Sequence, residues 1–246
     1  GIAGLVGVVV GLGYKAALAP FHFWAPDAYD GAPVAVAAYL SVVPKVGALF
    51  ALAQVVQGLP DELGWRAVLA VLAVVSMTYG NLAALTQTSV VRLLAYSSVA
   101  QSGYFLLGVI ALGRSELALA SLVVFAAAYA VMNLGAFAVV MQVGRNLEDF
   151  TGLGRSLGWL GAAMVVFLLS LVGIPPLAGF AGKLLLFGAA IDAEFAWLAV
   201  VGILNSVLSL AVYLRIVVVM YQTDARPLRP LRPVLLVAGL TLVLTF

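Results

Sequence analysis

The sequence lacks cysteine and contains a single histidine among its 246 residues. Without cysteine, the chain can form no disulfide, no thiolate nucleophile and no cysteine-ligated iron–sulfur cluster. One histidine excludes a metal site built from a histidine cluster. No Walker motif occurs either. We therefore predict that this chain binds no cofactor of its own.

Charge is also scarce. Charged residues make up 9% of the chain and hydrophobic residues 65%, and the mean hydropathy is +1.18. A soluble domain carries about 25% charged residues, so a lipid bilayer must solvate most of this surface. The net charge of +2 is too small to suggest a nucleic-acid partner.

The chain consists largely of long apolar segments. A helix that spans a membrane needs roughly 20 mostly apolar residues, and eight segments qualify, the last of them truncated by the end of the sequence. Together they predict an all-α polytopic membrane protein that is an internal piece of a longer chain. The segments are about 2–24, 34–57, 66–86, 91–112, 117–142, 157–190, 195–221 and 233–246.

The positive charges are divided by type. All three lysines, Lys15, Lys45 and Lys183, lie inside apolar segments, whereas nearly all arginines lie at segment ends or in loops. A central lysine costs roughly 2.5–3.5 kcal/mol to insert. Unlike arginine, it can lose its proton when buried. We predict that the lysines form a proton or ion path. One alternative is that the lysines snorkel to the membrane surface, and this is easier to exclude for Lys15 and Lys45 than for Lys183. The other alternative is structural ion pairs, but the sequence offers no carboxylate at membrane depth.

Each lysine has a proline nearby. Pro20 follows Lys15, Pro44 directly precedes Lys45, and the pair at 175–176 precedes Lys183. A proline inside a helix frees the carbonyl four residues before it, and in a membrane a polar side chain or water must satisfy that carbonyl. We therefore expect helix breaks at Pro20, Pro44, Pro175 and Pro176, the strongest of them at the double proline.

Other polar side chains are candidate relays. His22 titrates near neutral pH, but it lies among aromatic residues and could equally belong to an interfacial aromatic belt. Tyr96 and Gln101 lie on a polar stripe of the fourth segment, and Asn205 and Ser206 are isolated polar sites in the seventh. Hydrogen-bonded helix packing explains these residues at least as well as a water-filled path does.

Basic residues in the loops predict the orientation, because cytoplasmic loops carry an excess of lysine and arginine. The even-numbered loops hold Arg66 and Arg114. The odd-numbered loops hold more arginines, so we place them in the cytoplasm, the loop at 25–33 included. Their arginines are Arg92, Arg145, Arg155, Arg226, Arg229 and Arg232.

Four stretches together resemble a known family. The chain is similar over essentially its whole length to subunit N of bacterial NADH:quinone oxidoreductase (respiratory complex I), an antiporter-like membrane subunit. Lys183 after PPLAGFAG supports subunit N over subunit M, whose chains typically carry an acid there. The stretches are GYKAALAPFHFWAPDAYDGAP (13–33), RLLAYSSVAQSGY (92–104), LLSLVGIPPLAGFAGKLLLF (168–187) and LNSVLSLAVYLRIVVVMY (204–221).

The resemblance implies an antiporter-like helix bundle with two inverted five-helix repeats and two broken helices. Residues 1–64 would then hold the last two helices of the first repeat. Residues 65–221 would form the second five-helix repeat, and residues 222–246 a loop and a truncated final helix. The location implied is the bacterial inner (cytoplasmic) membrane, which the chain would cross several times.

The resemblance also implies roles for individual residues. Lys15 would be the central lysine of the first half-channel, Lys45 the connecting lysine, and Lys183 the lysine of the second half-channel. The partner glutamate of Lys15 would lie upstream of residue 1. Gln101 stands where family members often have histidine, and glutamine can hold water but cannot titrate.

The function implied is proton translocation as one subunit of the oxidoreductase. Other membrane subunits, lipid, protons and internal water would be its partners, and other subunits would bind NADH and quinone. This chain would then hold no redox site of its own. The alternatives are a subunit of a multisubunit cation/proton antiporter, a related membrane-bound hydrogenase, and a purely structural scaffold.

Overall fold

The computed structural model describes residues 2–222 and residue 245. Apart from one isolated bridge, these residues are helical where they are regular. Two short 3-10 helices lie in connections, at Asp61–Leu63 and Leu147–Phe150. The α-helices are α1 (Ile2–Lys15), α2 (Trp24–Gly31), α3 (Val34–Gln57), α4 (Trp65–Leu85), α5 (Val90–Ala111), α6 (Leu117–Val143), α7 (Leu153–Ser156), α8 (Gly158–Val172), α9 (Ala178–Asp192) and α10 (Ala196–Met220).

The helices confirm the predicted fold class. Five of them, α3, α4, α5, α6 and α10, are each long and apolar enough to cross a membrane. The sixth predicted segment, 157–190, divides into α8 and α9 around the double proline, as expected. The eighth predicted segment, 233–246, lies outside the described residues except for residue 245. The division into 1–64, 65–221 and 222–246 stays a prediction.

The first predicted segment, 2–24, is broken, as Pro20 led us to expect, but the break starts earlier than the proline. Helix α1 ends at Lys15, and the chain turns through residues 16–23 before α2 begins at Trp24. Within this turn Ala17 has a positive φ of 53°, a conformation that residues with a side chain seldom adopt. The break therefore begins immediately after the lysine, several residues before Pro20.

Helix α5 is the centre of the bundle. Each of its residues from Leu93 to Ala111 is buried except Tyr96, and it contacts α2, α3, α4, α6, α9 and α10. Two glycines let α4 approach closely, since small residues bring membrane helices into backbone contact. A Cβ on Gly80 would lie 2.6 Å from the Ala100 nitrogen, and one on Gly103 would lie 2.8 Å from the carbonyl oxygen of Ala73.

The odd-numbered loops meet at one end of the bundle. Arg92 at the start of α5 donates to Asp27 in α2 at 2.6 Å. Arg145, which follows α6, donates to the carbonyl of Ala32 at 3.0 Å. These contacts join the first, third and fifth loops, as an alternating membrane topology requires. Which end faces the cytoplasm stays a prediction.

The even-numbered loops meet at the other end, around Asp61. Its carboxylate accepts from Arg66 at 2.8 Å and from Arg114 at 2.8 Å, and Arg114 also donates to the carbonyl of Ala193 at 3.4 Å. Hydrogen bonds from Arg114 and Arg66 lower the pKa of the Asp61 carboxyl from its ordinary value of 3.8. This ion cluster ties together the second, fourth and sixth loops.

The break between α8 and α9 is tightly packed. Gly173 ends α8 in the left-handed region at φ 92°, which glycine adopts without steric cost. Gly179 in the first turn of α9 donates its N–H to Ser170 Oγ at 3.1 Å. A Cβ on Gly179 would lie 1.8 Å from the carbonyl oxygen of Ser170. The two half-helices therefore fit together only with glycine at position 179.

Gly179→Ala is expected to destabilise the full-length protein by about 1–3 kcal/mol, the usual cost of overpacking. The measurement is thermal unfolding in detergent. Gly188→Ala on the same helix is the control, because its Cβ would meet Leu117 at an ordinary 3.4 Å. Since alanine favours helix by up to about 1 kcal/mol, the control should be neutral or stabilising. Equal behaviour of the two variants would contradict this packing.

Asp61→Asn is expected to lower thermal stability at neutral pH, because it removes the charge that the two arginines share. The lowered pKa means that the stabilisation is complete above pH 3.8 and disappears as the pH falls through the lowered value. The stability difference between variant and parent should therefore vanish in strong acid. A difference that is constant across this pH range would show that charge is not its cause.

Candidate site at the buried lysines

Two of the three lysines are deeply buried. Lys45 in α3 is 1% exposed and Lys183 in α9 is 2% exposed. Lys45 Nζ donates to Ser98 Oγ of α5 at 2.6 Å. Within the described part of the chain, no carboxylate lies within 4.0 Å of either amine. Neither lysine is therefore half of an ion pair among these residues.

The amine of Lys183 lies in a cluster of neutral acceptors. Nζ donates to the carbonyls of Leu171 at 3.0 Å and Val172 at 2.9 Å, and to Ser206 Oγ at 3.2 Å. The ring centroid of Tyr104 lies 4.1 Å from the same nitrogen. Both carbonyls belong to the last turn of α8, where the helix dipole and the aromatic face each favour a cation.

The positions of these carbonyls follow from the double proline. Leu171 is four residues before Pro175, and Val172 is four residues before Pro176. Because α8 ends at Val172, its last carbonyls have no donor within the helix, and the two prolines have no N–H to supply at that spacing. Lys183 donates to both carbonyls. The helix break thus provides two of the hydrogen-bond acceptors that surround the amine of Lys183.

The helix break predicted at Pro44 is wrong, because α3 continues through it from Val34 to Gln57. The carbonyls four residues before Pro44 and Pro20 nevertheless have side-chain donors. The carbonyl of Leu40, four residues before Pro44, accepts from the hydroxyl of Tyr29 at 3.1 Å. The carbonyl of Ala16, four residues before Pro20, accepts from Ser102 Oγ at 2.8 Å. A polar side chain therefore satisfies the carbonyl at each of the four prolines, as a membrane interior requires.

A buried polar chain runs along α5 between the two lysines. The side-chain amide of Gln101 donates to the carbonyl of Leu171 at 3.2 Å and to the hydroxyl of Tyr213 at 3.5 Å. The Tyr213 hydroxyl lies 2.5 Å from Ser97 Oγ. Ser97 is adjacent in sequence to Ser98, the partner of Lys45, although no hydrogen bond in the described part joins the two hydroxyls.

Gln101 is the non-titrating member of this chain. Its Oε1 is buried and has no hydrogen-bond partner among the described residues. A buried acceptor without a partner is costly, and a water molecule is the usual remedy. Transfer of a proton past Gln101 would accordingly need water or the neighbouring Tyr213 hydroxyl.

Lys15 differs from the other two lysines. It is the last residue of α1 and is exposed in this part of the chain. Its amine makes no hydrogen bond or ion pair with another described residue. Lys15 thus lies at a helix break, as the nearby Pro20 predicted, and its role in proton transfer stays a prediction.

His22 and Tyr96 lie beside each other but apart from the polar chain. Their ring centroids are 6.3 Å apart, and His22 is 4.7 Å from the ring of Tyr79. The Nδ1 atom of His22 is buried without a partner among the described residues. No hydrogen bond in the described structure joins His22 or Tyr96 to Lys45 or Lys183, so their role as relays stays a prediction.

The sequence did not point to Tyr29 and Tyr213 as members of this site. Neither has a spacing in the sequence that pairs it with a lysine. Tyr29 offers one signal in retrospect, since a proline at position 44 requires a donor for Leu40. For Tyr213 the only indication is that its side chain is buried, and this could not be predicted because it depends on the rotation of α10 about its axis.

Comparison with known proteins places this geometry in a family. Residues 2–209 match the family model described as "NADH:quinone oxidoreductase/Mrp antiporter, TM". Subunit N of NADH-quinone oxidoreductase from Mycobacterium sp. (strain JLS) is 49% identical over 215 residues, covering 87% of this chain and 46% of the relative. The same subunit from Chlorobium chlorochromatii (strain CaD3) is 46% identical, covering 88% of this chain and 45% of the relative. This chain therefore spans about half the length of the relatives it matches.

Solved structures agree with the sequence matches. A chain of respiratory complex I from Thermus thermophilus with bound aureothin is 39% identical, with a TM-score of 0.80 over 96% of this chain and 55% of the other. A chain of the Mrp complex from Dietzia sp. DQ12-45-1b is 28% identical, with a TM-score of 0.81 over 89% of this chain and 42% of the other. These matches confirm the resemblance noted in the sequence. The chain belongs to the NADH:quinone oxidoreductase/Mrp antiporter family of transmembrane proteins.

Proposed function

We propose that this chain is part of a proton-translocating membrane subunit of NADH:quinone oxidoreductase. Protons would move through Lys45 and Lys183 along the polar chain of α5. The observation that carries the proposal is the carbonyl of Leu171, which accepts from both Lys183 and Gln101. One buried acceptor thus links the second lysine to the polar residues that lead toward the first.

The charge environment supports a reversible proton. A carboxylate beside a buried lysine would hold its proton strongly, because ion attraction is large where water is excluded. Lys183 has neutral carbonyls and an aromatic ring instead, and Lys45 has a serine hydroxyl. Such partners stabilise the ammonium partly and leave its protonation open to control by a charge that approaches or withdraws.

Energy for this cycle would come from other subunits. The curated relatives are named as subunits of NADH-quinone oxidoreductase, and the Thermus chain comes from respiratory complex I. By analogy, this chain works with other membrane subunits in the bacterial cytoplasmic membrane. NADH and quinone would bind to those other subunits, and their redox chemistry would move charge near the lysines.

We propose that Lys15 is a third protonation site, the role that the resemblance implies for it. It is the last residue of α1 and is exposed among the described residues.

A second candidate function is cation/proton antiport. The family description and the Mrp complex chain, with its TM-score of 0.81, favour it. The identity of 28% to that chain, against 49% to subunit N of Mycobacterium sp., places it second. Sodium dependence separates the two, since an antiporter requires a second cation whereas the oxidoreductase subunit translocates protons without sodium.

Lys45→Arg and Lys183→Arg in the full-length protein are expected to lower coupled proton pumping at least tenfold. Arginine keeps the positive charge but does not release its proton. Pumping is measured in membrane vesicles as acidification per NADH oxidised, and NADH oxidation by an artificial acceptor should be unchanged.

Two further variants distinguish this proposal from a purely structural role of the lysines. Lys45→Met and Lys183→Met remove the charge, and a purely structural scaffold predicts that these variants are harmless or more stable. Normal pumping by the arginine variants would overturn the proposal. Loss of pumping only when sodium is absent would favour the antiporter.

A further inference from the structure

The hydrogen bonds available to Lys183 can be counted for each of its protonation states. An ammonium has three N–H donors and no acceptor, whereas the free amine has two donors and one lone pair. Lys183 Nζ faces three acceptors, the carbonyls of Leu171 and Val172 and the hydroxyl of Ser206. The ammonium can donate to all three, whereas the amine can donate to the two carbonyls and then turns its lone pair toward Ser206.

One of the three partners can change its direction. A backbone carbonyl only accepts, so the contacts to Leu171 and Val172 need an N–H in either state. The Ser206 hydroxyl can accept from the ammonium and, after rotation, donate to the lone pair of the amine. Ser206 is therefore the contact that can remain satisfied when Lys183 loses its proton.

Ser206 also has a partner that permits the rotation. Its Oγ lies 3.1 Å from the hydroxyl of Tyr104, and either atom can be the donor. With Lys183 charged, Ser206 donates to Tyr104, which donates to the carbonyl of Gly202 at 3.1 Å. With Lys183 neutral, Ser206 donates to the amine and accepts from Tyr104. No atom needs to move except the hydroxyl hydrogens.

Lys45 shares one feature of this arrangement, a contact between its amine and a serine hydroxyl, which is its single hydrogen bond to a side chain or carbonyl of another described helix. Its amine contacts Ser98 Oγ at 2.6 Å, and Ser98 in turn donates to the carbonyl of Ala95 at 2.6 Å. On loss of the proton, Ser98 can turn from Ala95 to the lone pair of Lys45. Each buried lysine thus contacts one serine hydroxyl whose donor direction is reversible.

We propose that Ser206 is a positioning residue that lets Lys183 exchange its proton without losing a hydrogen bond, and that Ser98 does the same for Lys45. This inference rests on the proposed function, because it matters only if the lysines gain and lose protons. The step is a simple transfer. The ammonium gives one proton to a water molecule of the path, the amine keeps the electron pair, and the serine hydroxyl turns to that pair.

Few other titratable groups lie close enough to Lys183 to change the balance between its ammonium and amine forms. On the helices packed against α9, Tyr104 of α5 faces Nζ directly, and Tyr213 of α10 is connected through Gln101. Tyr129 of α6 donates away, to the carbonyl of Ser41. None of the carboxylates among the described residues forms an ion pair with Lys183.

The test compares Ser206→Ala with Ser206→Thr in the full-length protein within its membranes. Alanine removes a hydrogen-bond partner from both states, but the bond that the ammonium loses is charge-assisted and therefore the stronger of the two, so the charged form is disfavoured. Because one hydrogen bond to a charged group is worth roughly a factor of ten, the alkaline limb of the pH profile for coupled turnover should move about one unit to lower pH. Threonine keeps the hydroxyl and should restore the parental profile.

A matched control variant tests whether the shift is specific to Ser206, and a lysine variant tests the proposed function separately. Ser121→Ala removes a buried serine that donates only to Ala118 of its own helix and should leave the profile unchanged. An unshifted profile for Ser206→Ala, or a threonine variant as impaired as the alanine variant, would overturn the inference. If Lys183→Arg pumps normally, the proposed function itself fails.

Discussion

The hydrogen bonds between Lys183 and the carbonyls of Leu171 and Val172 are the interaction on which the rest of the site depends. Pro175 and Pro176 leave these carbonyls without donors, and a carbonyl without a donor in a membrane costs several kcal/mol. A buried lysine without acceptors is equally costly. The break and the lysine therefore stabilise each other, and neither would be tolerated alone.

Helix α5 extends this constraint across the bundle. Its residues are buried almost throughout, so each polar side chain on it must find a partner on a neighbouring helix. Ser98 reaches Lys45, Ser102 reaches the carbonyl of Ala16, and Gln101 reaches Leu171. One rigid helix thus satisfies the break after α1 and the break after α8, and it makes a direct hydrogen bond to Lys45 and is linked to Lys183 through their shared acceptor, the carbonyl of Leu171.

Much of this could be predicted from the sequence. Segment length predicted the helices, proline spacing predicted that carbonyls would need donors, and the separation of lysine from arginine identified Lys45 and Lys183. The identity of the donors could not be predicted, because it depends on helix rotation and packing. Tyr29 and Tyr213 are examples. The start of the first break could not be predicted either, since proline spacing cannot show that a helix ends five residues before its proline.

The choice of neutral partners has a consequence for how the site could be controlled. A carboxylate beside Lys183 would fix its charge, whereas carbonyl dipoles and an aromatic ring compensate it only in part. The remaining balance between ammonium and amine is then sensitive to any distant charge, because few mobile waters or ions screen it inside a protein. Reversible serine contacts keep the hydrogen bonds satisfied in both states. A charge that moves elsewhere in a complex could therefore shift the proton of Lys183 without rebuilding the helices around it.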